Sequence, residues 1–168
     1  MSERNPYAPP QTEVRDPPLI READNLAPRR LRLIGVLVDG LANAVVFGPL
    51  LLFSGLWSSL LSDDVPFRVV VLVSLGGVAV FLLLNGYLLA TAGQTIGKRV
   101  VGTRIVNVAD GRIPKFLTLV GGRYGVTWLV SLIPGAGNLY GLVDALFVFR
   151  DDRRCLHDLI AGTKVITV

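Results

Sequence analysis

The chain has 168 residues and a mass of 18.1 kDa, but 51% of its residues are hydrophobic and its mean hydropathy is +0.55. Only 18% are charged, against roughly 25% in soluble chains, so there is too little polar surface to coat a water-facing core. This composition excludes an ordinary soluble domain and favours a bilayer as the solvent. The net charge of +4 does not indicate nucleic acid, because the basic residues flank long apolar runs, as cytoplasmic loops of membrane proteins do.

The N-terminal residues 1–28 are rich in proline and mixed charges and lack apolar periodicity. Such a segment cannot offset the entropy lost on ordering, so we predict a disordered cytoplasmic tail. Its length and its acidic residues exclude a signal peptide. Residues 29–168 are predicted to form the membrane domain.

Two long apolar runs follow the tail. Leu33 to Leu61 predicts a first transmembrane helix with a kink at Pro49, and its end near Trp57 is expected to bend or lie at the membrane interface. Val69 to Ala92 is uncharged, about one bilayer long, and predicts a second helix.

Residues 93–115 change character, because glycines and basic side chains replace the apolar run. We predict a loop in which the Val-, Ile- and Thr-rich stretch Val100 to Val108 forms a strand, with a turn at Asp110-Gly111. Lys164 to Val168 is a second strand candidate that could pair with it in a small β-ribbon.

The apolar region 116–149 is interrupted by Pro134 and two nearby glycines, which break helices. It predicts two segments, Phe116 to Leu132 and Leu139 to Phe149, the second too short for a full crossing unless it tilts or re-enters. The predicted fold is an all-α membrane protein: a four-segment transmembrane helical bundle, or two passes and a re-entrant hairpin, with a small cytoplasmic β-ribbon.

The distribution of cations predicts the orientation. Arginines and lysines precede the first helix, follow the second and follow the last segment, whereas the turn between the first two helices is acidic. The positive-inside rule then puts both termini in the cytoplasm, in a multi-pass protein of the inner membrane.

One face of the first helix carries polar side chains. Arg32, Gly35, Asp39 and Asn43 form a stripe at helical spacing, and an aspartate in a span should face protein or water rather than lipid. Competing effects of burial and a nearby arginine on its pKa would suit a proton or cation relay. Alternatively, Asp39 is a permanent counter-ion of Arg32 or Arg123.

Arg123 and Asp144 are expected at similar depth in an antiparallel hairpin, where they can meet. Mutual neutralisation and coordination of a substrate or ion are both open for this pair.

The inner end of the second helix carries a Gly93-x-x-x-Gly97 spacing, which allows close helix approach. Gln94 and Thr95 between these glycines could hydrogen-bond across such a contact. Lys98 and Arg99 are predicted as interfacial anchors or, less favoured, as ligands of a lipid headgroup.

Few side chains suit catalysis or metal binding. Cys155 and His157 are the single cysteine and histidine, and a Cys-His pair two residues apart is not a zinc site. Without a nucleophile–base pair, a metal cluster or a cofactor loop, we expect no enzyme, no metal and no cofactor. Asp158 is expected to cap a turn or to pair with Arg99 or Arg104.

These motifs, taken in order, resemble the RDD family of membrane proteins over about residues 29–168. The matching pieces are Arg32-x-x-Gly35-x-x-x-Asp39, Gly93-Gln94-Thr95-Ile96-Gly97-Lys98-Arg99, Asp110-Gly111, Arg123, and Leu156-His157-Asp158 with the following Ala161-Gly162-Thr163.

The resemblance implies a bacterial inner-membrane protein in which one arginine and two aspartates are the defining residues. Arg32 and Asp39 match the first two, and the second aspartate is Asp158 or Asp144. It also implies transport of unidentified ligands, with some members similar to cation/proton antiporters.

Two functions follow as hypotheses. The first is an oligomeric transporter that exchanges cations for protons through intramembrane Asp/Arg pairs. The second is a non-transporting membrane scaffold that binds protein partners or anionic lipids through its glycine-rich helices and basic ribbon.

Overall fold

The computed structural model describes residues 26–62, 64–133 and 135–168. The predicted tail lies outside the described residues except for its last three. In chain order the elements are α1 Arg29–Phe53, α2 Leu56–Leu60, α3 Phe67–Ala92, α4 Ile96–Val100, β1 Thr103–Asn107, a π-helix Thr118–Gly125, α5 Val126–Ser131, α6 Ala136–Leu146, a 3-10 helix Phe147–Phe149, α7 Leu156–Ile160 and β2 Thr163–Thr167.

Helices α1 and α3, with 25 and 26 residues, are long and apolar enough to cross a bilayer. Almost none of their apolar side chains are buried against the rest of the described chain, and Leu83 is 83% exposed. A core helix of a soluble protein would bury these residues, so lipid is the environment that suits them.

Helix α1 ends before the apolar run Leu33 to Leu61 that predicts it. It ends at Phe53, because Gly55 adopts a left-handed φ of 73°, and the chain restarts as the short α2. The bend expected near Trp57 is therefore a break, and Pro49 lies inside α1. The second predicted helix is confirmed and begins two residues earlier, at Phe67.

The region after β1 forms two helical segments joined by a short turn, as the sequence predicts. The π-helix has 8 residues and continues into the 6 residues of α5, while α6 has 11 residues. These segments are shorter than the roughly 20 residues that a crossing requires. Among the described helices, only α1 and α3 have the length and composition of spans.

The predicted β-ribbon is confirmed. Strands β1 and β2 pair antiparallel, with Thr103 opposite Thr167 and Asn107 opposite Thr163. On the other side of β2, Leu26 bridges Ile166, and the Ala27 N–H donates to the Val165 carbonyl at 3.0 Å. Residues 26–28 were predicted to belong to the tail, but they belong to the folded domain because their backbone extends this small sheet.

A small buried core joins the ribbon to the helices. Leu89 on α3 and Leu119 on the π-helix pack with Ile105 of β1 and Val165 of β2, and Phe81 and Tyr124 border the cluster. Both ends of the described chain therefore meet at one end of α1 and α3. We call this the basic end, because Arg29, Arg32 and Lys98 lie there.

Candidate functional site: a buried arginine–aspartate cluster and two pockets

Asp158 on α7 is the centre of a buried polar cluster at the basic end. Its side chain is fully buried, and it accepts a hydrogen bond from Arg32 on α1 at 3.2 Å while contacting the guanidinium of Arg123. Thr163 on β2 accepts from Arg123 at 2.9 Å and donates to Asp158 at 3.0 Å. One carboxylate thus joins α1, the π-helix, α7 and the ribbon.

Local backbone contacts hold Asp158 in this position. Its carboxylate accepts from the Cys155 N–H at 3.3 Å, which caps the first turn of α7. Arg154 donates to the Thr163 carbonyl at 3.0 Å and to the Asp158 carbonyl at 3.3 Å. Asp158 therefore caps a turn, as one of our alternatives has it, but its ion-pair partners are Arg32 and Arg123 rather than Arg99 or Arg104.

The Asp39 carboxylate contacts the start of α4 rather than the guanidinium of Arg32 or Arg123. Its two carboxylate oxygens accept from the Gly97 N–H at 2.7 Å and the Thr95 hydroxyl at 2.5 Å. Asn85 on α3 accepts from the Ile96 N–H at 2.8 Å, and the Thr95 hydroxyl accepts from the Lys98 N–H at 3.3 Å. The first three N–H groups of α4 are thus all capped by side chains.

One of the two glycines of the Gly93-x-x-x-Gly97 spacing makes a close helix contact, and that contact is between α4 and α1. Gly97 lies in α4 and packs against Gly35 of α1, where an added Cβ would stand 1.9 Å from the Gly35 carbonyl oxygen. Gly93 instead ends α3 with a left-handed φ of 63°. Of the two polar residues between, Thr95 crosses to Asp39, whereas Gln94 donates to the Thr103 carbonyl at 2.8 Å.

Asp144 on α6 pairs with His157 rather than with Arg123. Nδ1 of His157 lies 2.7 Å from an Asp144 oxygen, and the His157 N–H donates to the other oxygen at 2.8 Å. The expected Arg123–Asp144 pair is not formed, because the end of the chain inserts α7 between them and Asp158 contacts Arg123 first.

Burial and the nearby Arg123 lower the pKa of His157 from 6.5 to about 4, despite the hydrogen bond to Asp144. The imidazole is therefore neutral at physiological pH. Burial also raises the pKa of the Cys155 thiol, so that this group is uncharged as well.

Asp144, Cys155 and His157 bring three potential metal ligands together, with their ligand atoms within 4.8 Å of one another. Carboxylate, thiolate and imidazole are ligands that Zn²⁺ accepts. The Cys-x-His spacing in the sequence indicates only two of these ligands. Asp144 is not indicated, because it comes close to the other two only through the turn between α6 and α7. Arg123 adds positive charge beside the same imidazole, which opposes a cation there.

A pocket of about 110 Å³ lies beside the cluster. We call it the basic-end pocket. Its polar lining comes from Arg32, Lys98, Arg123, Tyr124, Cys155 and His157, among other residues. Lys98 thus faces a pocket, whereas its neighbour Arg99 is exposed on α4.

A second pocket of about 240 Å³, which we call the mid-bundle pocket, lies deeper along α1 and α3. Asn43, Ser74 and Ser131 provide its polar atoms, and Phe81 and Trp128 line it too. The Asn43 side-chain oxygen is buried and has no hydrogen-bond partner within the described part of the chain.

Three aromatic rings lie where the two pockets approach each other. Tyr124 lines the basic-end pocket, and its ring is 4.9 Å from that of Phe81 and 6.0 Å from that of Trp128, both of which line the mid-bundle pocket. We call these three residues the aromatic cluster.

The predicted polar stripe of α1 does face the protein, but its members have separate partners. Arg32 contacts Asp158, Gly35 contacts Gly97, Asp39 caps α4, and Asn43 lines the mid-bundle pocket. The stripe is therefore a row of four different contacts rather than one site.

Comparison with known proteins matches residues 26–162 to the RDD family. The chain is 46% identical over 74 residues to the uncharacterized protein YckC of Bacillus subtilis, covering 44% of this chain and 46% of that protein. It is 30% identical over 91 residues to an uncharacterized protein of Haemophilus influenzae, covering 54% and 55%. The chain thus spans about half the length of the curated relatives it matches, and no solved structure matches it.

Proposed function

Because this chain belongs to the RDD family, we propose that it is an integral membrane protein that carries a small ion across the bilayer. The observation that supports transport is the pair of pockets on either side of the aromatic cluster. Polar atoms are costly in a bilayer unless they are satisfied or serve a ligand path. Both pockets contain such atoms, including the unpartnered oxygen of Asn43.

The aromatic cluster would act as the gate. In this proposal an ion that leaves the basic-end pocket for the mid-bundle pocket displaces the ring of Tyr124, which lies 4.9 Å from that of Phe81 and 6.0 Å from that of Trp128. Rotation of aromatic side chains is a small movement compared with a domain rearrangement. Such a small movement suits this chain, because only two long apolar helices are found among its described residues.

Proton-coupled cation exchange at Asp39 is the narrower form of this proposal. In that mechanism Asp39 alternates between a proton and a cation. One of its oxygens accepts from Gly97 of α4 and the other from Thr95, the residue before α4, so each cycle would have to release the α4 cap. The contacts of Asp39 therefore support the general proposal of ion transport better than they support this particular coupling.

Flux measurements with the full chain in proteoliposomes test the proposal. We expect ion movement above that of protein-free liposomes, measured for a panel of alkali cations and simple anions at several pH values. Ser74→Leu fills the mid-bundle pocket and should lower flux several-fold. Ala90→Leu adds a similar side chain at an exposed position of the same helix and should leave flux unchanged.

Two results would contradict the proposal. The absence of flux above background for every ion in the panel would contradict transport, and an equal effect of Ser74→Leu and Ala90→Leu would contradict a path through the mid-bundle pocket. Size-exclusion profiles of both variants establish that they remain folded before flux is compared.

A membrane scaffold is the second candidate function, and the charge at the basic end favours it. Arg29, Lys98 and Arg99 lie near the end of the spans, where cations bind anionic lipid surfaces. Helix α6 leaves Leu139 and Leu142 largely exposed, which would suit a membrane-protein partner or a second copy. Co-purification of a stoichiometric partner, with no flux, would favour the scaffold.

A further inference from the structure

The basic-end pocket has an excess of positive charge on its wall. Arg32, Lys98 and Arg123 line it, and Asp158 is the carboxylate in contact with two of these cations. Asp144 lies behind His157, with which it is paired. Because the His157 imidazole is neutral, Asp144 keeps its negative charge, and three cations against these two carboxylates leave one excess positive charge, which attracts an anion.

Some of the residues that line the basic-end pocket also carry hydrogen-bond donors without partners. Nε of Arg32, Nε of Arg123 and the hydroxyl of Tyr124 are buried and have no hydrogen-bond partner among the residues that the structure describes. The Arg123 side chain is only 4% exposed. Buried donors that stay unsatisfied cost free energy, so an acceptor in the pocket would stabilise the fold as well as bind.

The pocket has the size of a small oxyanion. A water molecule needs roughly 10–15 Å³ of such a cavity, so about 110 Å³ accommodates one tetrahedral group such as phosphate. Guanidinium groups match the geometry of phosphate oxygens, and a lysine supplies a point charge.

We propose that the basic-end pocket is a binding site for a single phosphate group, held by Arg32, Lys98, Arg123 and the Tyr124 hydroxyl. The phosphate is either inorganic phosphate or the headgroup of an anionic lipid, since the pocket lies at the end of the spans where headgroups are found. The site follows from the charges and donors of the pocket, and it does not require the protein to transport anything.

Thermal unfolding of the full chain in a neutral detergent tests the site. We expect inorganic phosphate to raise the unfolding temperature saturably at constant ionic strength, relative to chloride. A second arm uses short-chain phosphatidic acid against phosphatidylcholine of the same chain length. Stabilisation by both phosphate and phosphatidic acid assigns a free phosphate site, and stabilisation by phosphatidic acid alone assigns a lipid headgroup site.

A matched pair of variants distinguishes binding in the pocket from a non-specific effect of positive charge on the protein surface. Lys98→Gln and Arg99→Gln remove one positive charge each from the same short helix, but only Lys98 lines the pocket. Lys98→Gln should weaken binding about tenfold or more, because a charge-assisted contact is lost, whereas Arg99→Gln should change it less than about twofold. Tyr124→Phe removes only a hydroxyl and should also weaken binding.

The proposal is overturned if neither phosphate nor phosphatidic acid stabilises the protein beyond chloride, or if the two glutamine variants weaken binding equally. Because binding is measured at equilibrium in detergent, a negative result here is independent of the flux measurements, and a loss of flux does not affect it.

Discussion

Arg32 and Asp158 lie near opposite ends of the described chain, yet their side chains meet at 3.2 Å in a buried cluster that also holds Arg123. This contact fixes α1 to α7 and to the ribbon. Among the two candidates for the second defining aspartate, Asp158 contacts Arg32, whereas Asp144 contacts His157.

Replacing Asp158 should destabilise the protein strongly. Asp158→Asn leaves two buried guanidinium groups without their counter-ion, a change that typically costs about 3–5 kcal/mol. The measurement is thermal unfolding in detergent. Asp152→Asn is the control: Asp152 pairs with Arg150 at an exposed position, and its loss should cost less than about 1 kcal/mol. Equal effects would show that the cluster contributes no more than a surface ion pair.

Asp39 variants should behave as the loss of a helix cap. Asp39→Ala removes the acceptor of the Gly97 N–H and the Thr95 hydroxyl and should cost about 1–2 kcal/mol, while Asp39→Asn keeps one acceptor and should cost less. Unfolding and proton flux are measured on the same preparations. If Asp39→Asn abolishes proton-coupled flux at unchanged stability, Asp39 is a relay and the cap is secondary.

Two glycine substitutions should have opposite effects on the free energy of unfolding. An added methyl group at Gly97 would stand 1.9 Å from the Gly35 carbonyl oxygen, so Gly97→Ala must separate α4 from α1 and should cost about 1–3 kcal/mol. Gly86 lies within α3 with open space around the added Cβ. Gly86→Ala should therefore stabilise the helix by about 0.5–1 kcal/mol. Denaturation of both variants in detergent checks the difference, and a loss of stability at Gly86 would contradict this packing.

His157 should make stability depend on pH between about 4 and 6.5. In this window the unfolded chain binds a proton at His157 while the folded chain does not, so stability falls as the pH decreases from 6.5 towards 4. The full effect corresponds to roughly 3 kcal/mol. Unfolding temperatures of wild type and His157→Gln, compared across the window, isolate this contribution from the carboxylates. Parallel profiles would mean that His157 titrates normally.

The sequence predicted the elements whose pattern is local. The apolar run of α3 and the Val-, Ile- and Thr-rich strand β1 are visible in consecutive residues, and β2 was paired with β1 because it shares this composition. Helix α4 was predicted as loop, since its five residues are stabilised by Asp39 and Asn85 from α1 and α3 and not by their own propensity.

The partners of the charged residues could not be derived from spacing. Arg123 and Asp144 do lie near enough to each other to interact electrostatically, as their expected depth implies. Helix α7, which follows both in the chain, supplies the closer carboxylate of Asp158, and no spacing between Arg123 and Asp144 predicts its position. The π-helix that carries Arg123 also has no sequence signal of its own, because its wider turn depends on tertiary contacts.

The position of α7 and β2 after α1 and α3 in the chain has a consequence for biosynthesis. During translation α1 and α3 are synthesised before Asp158, so Arg32 is made well before the group that will neutralise it. The buried polar cluster can therefore close only after the ribosome has added α7 and β2.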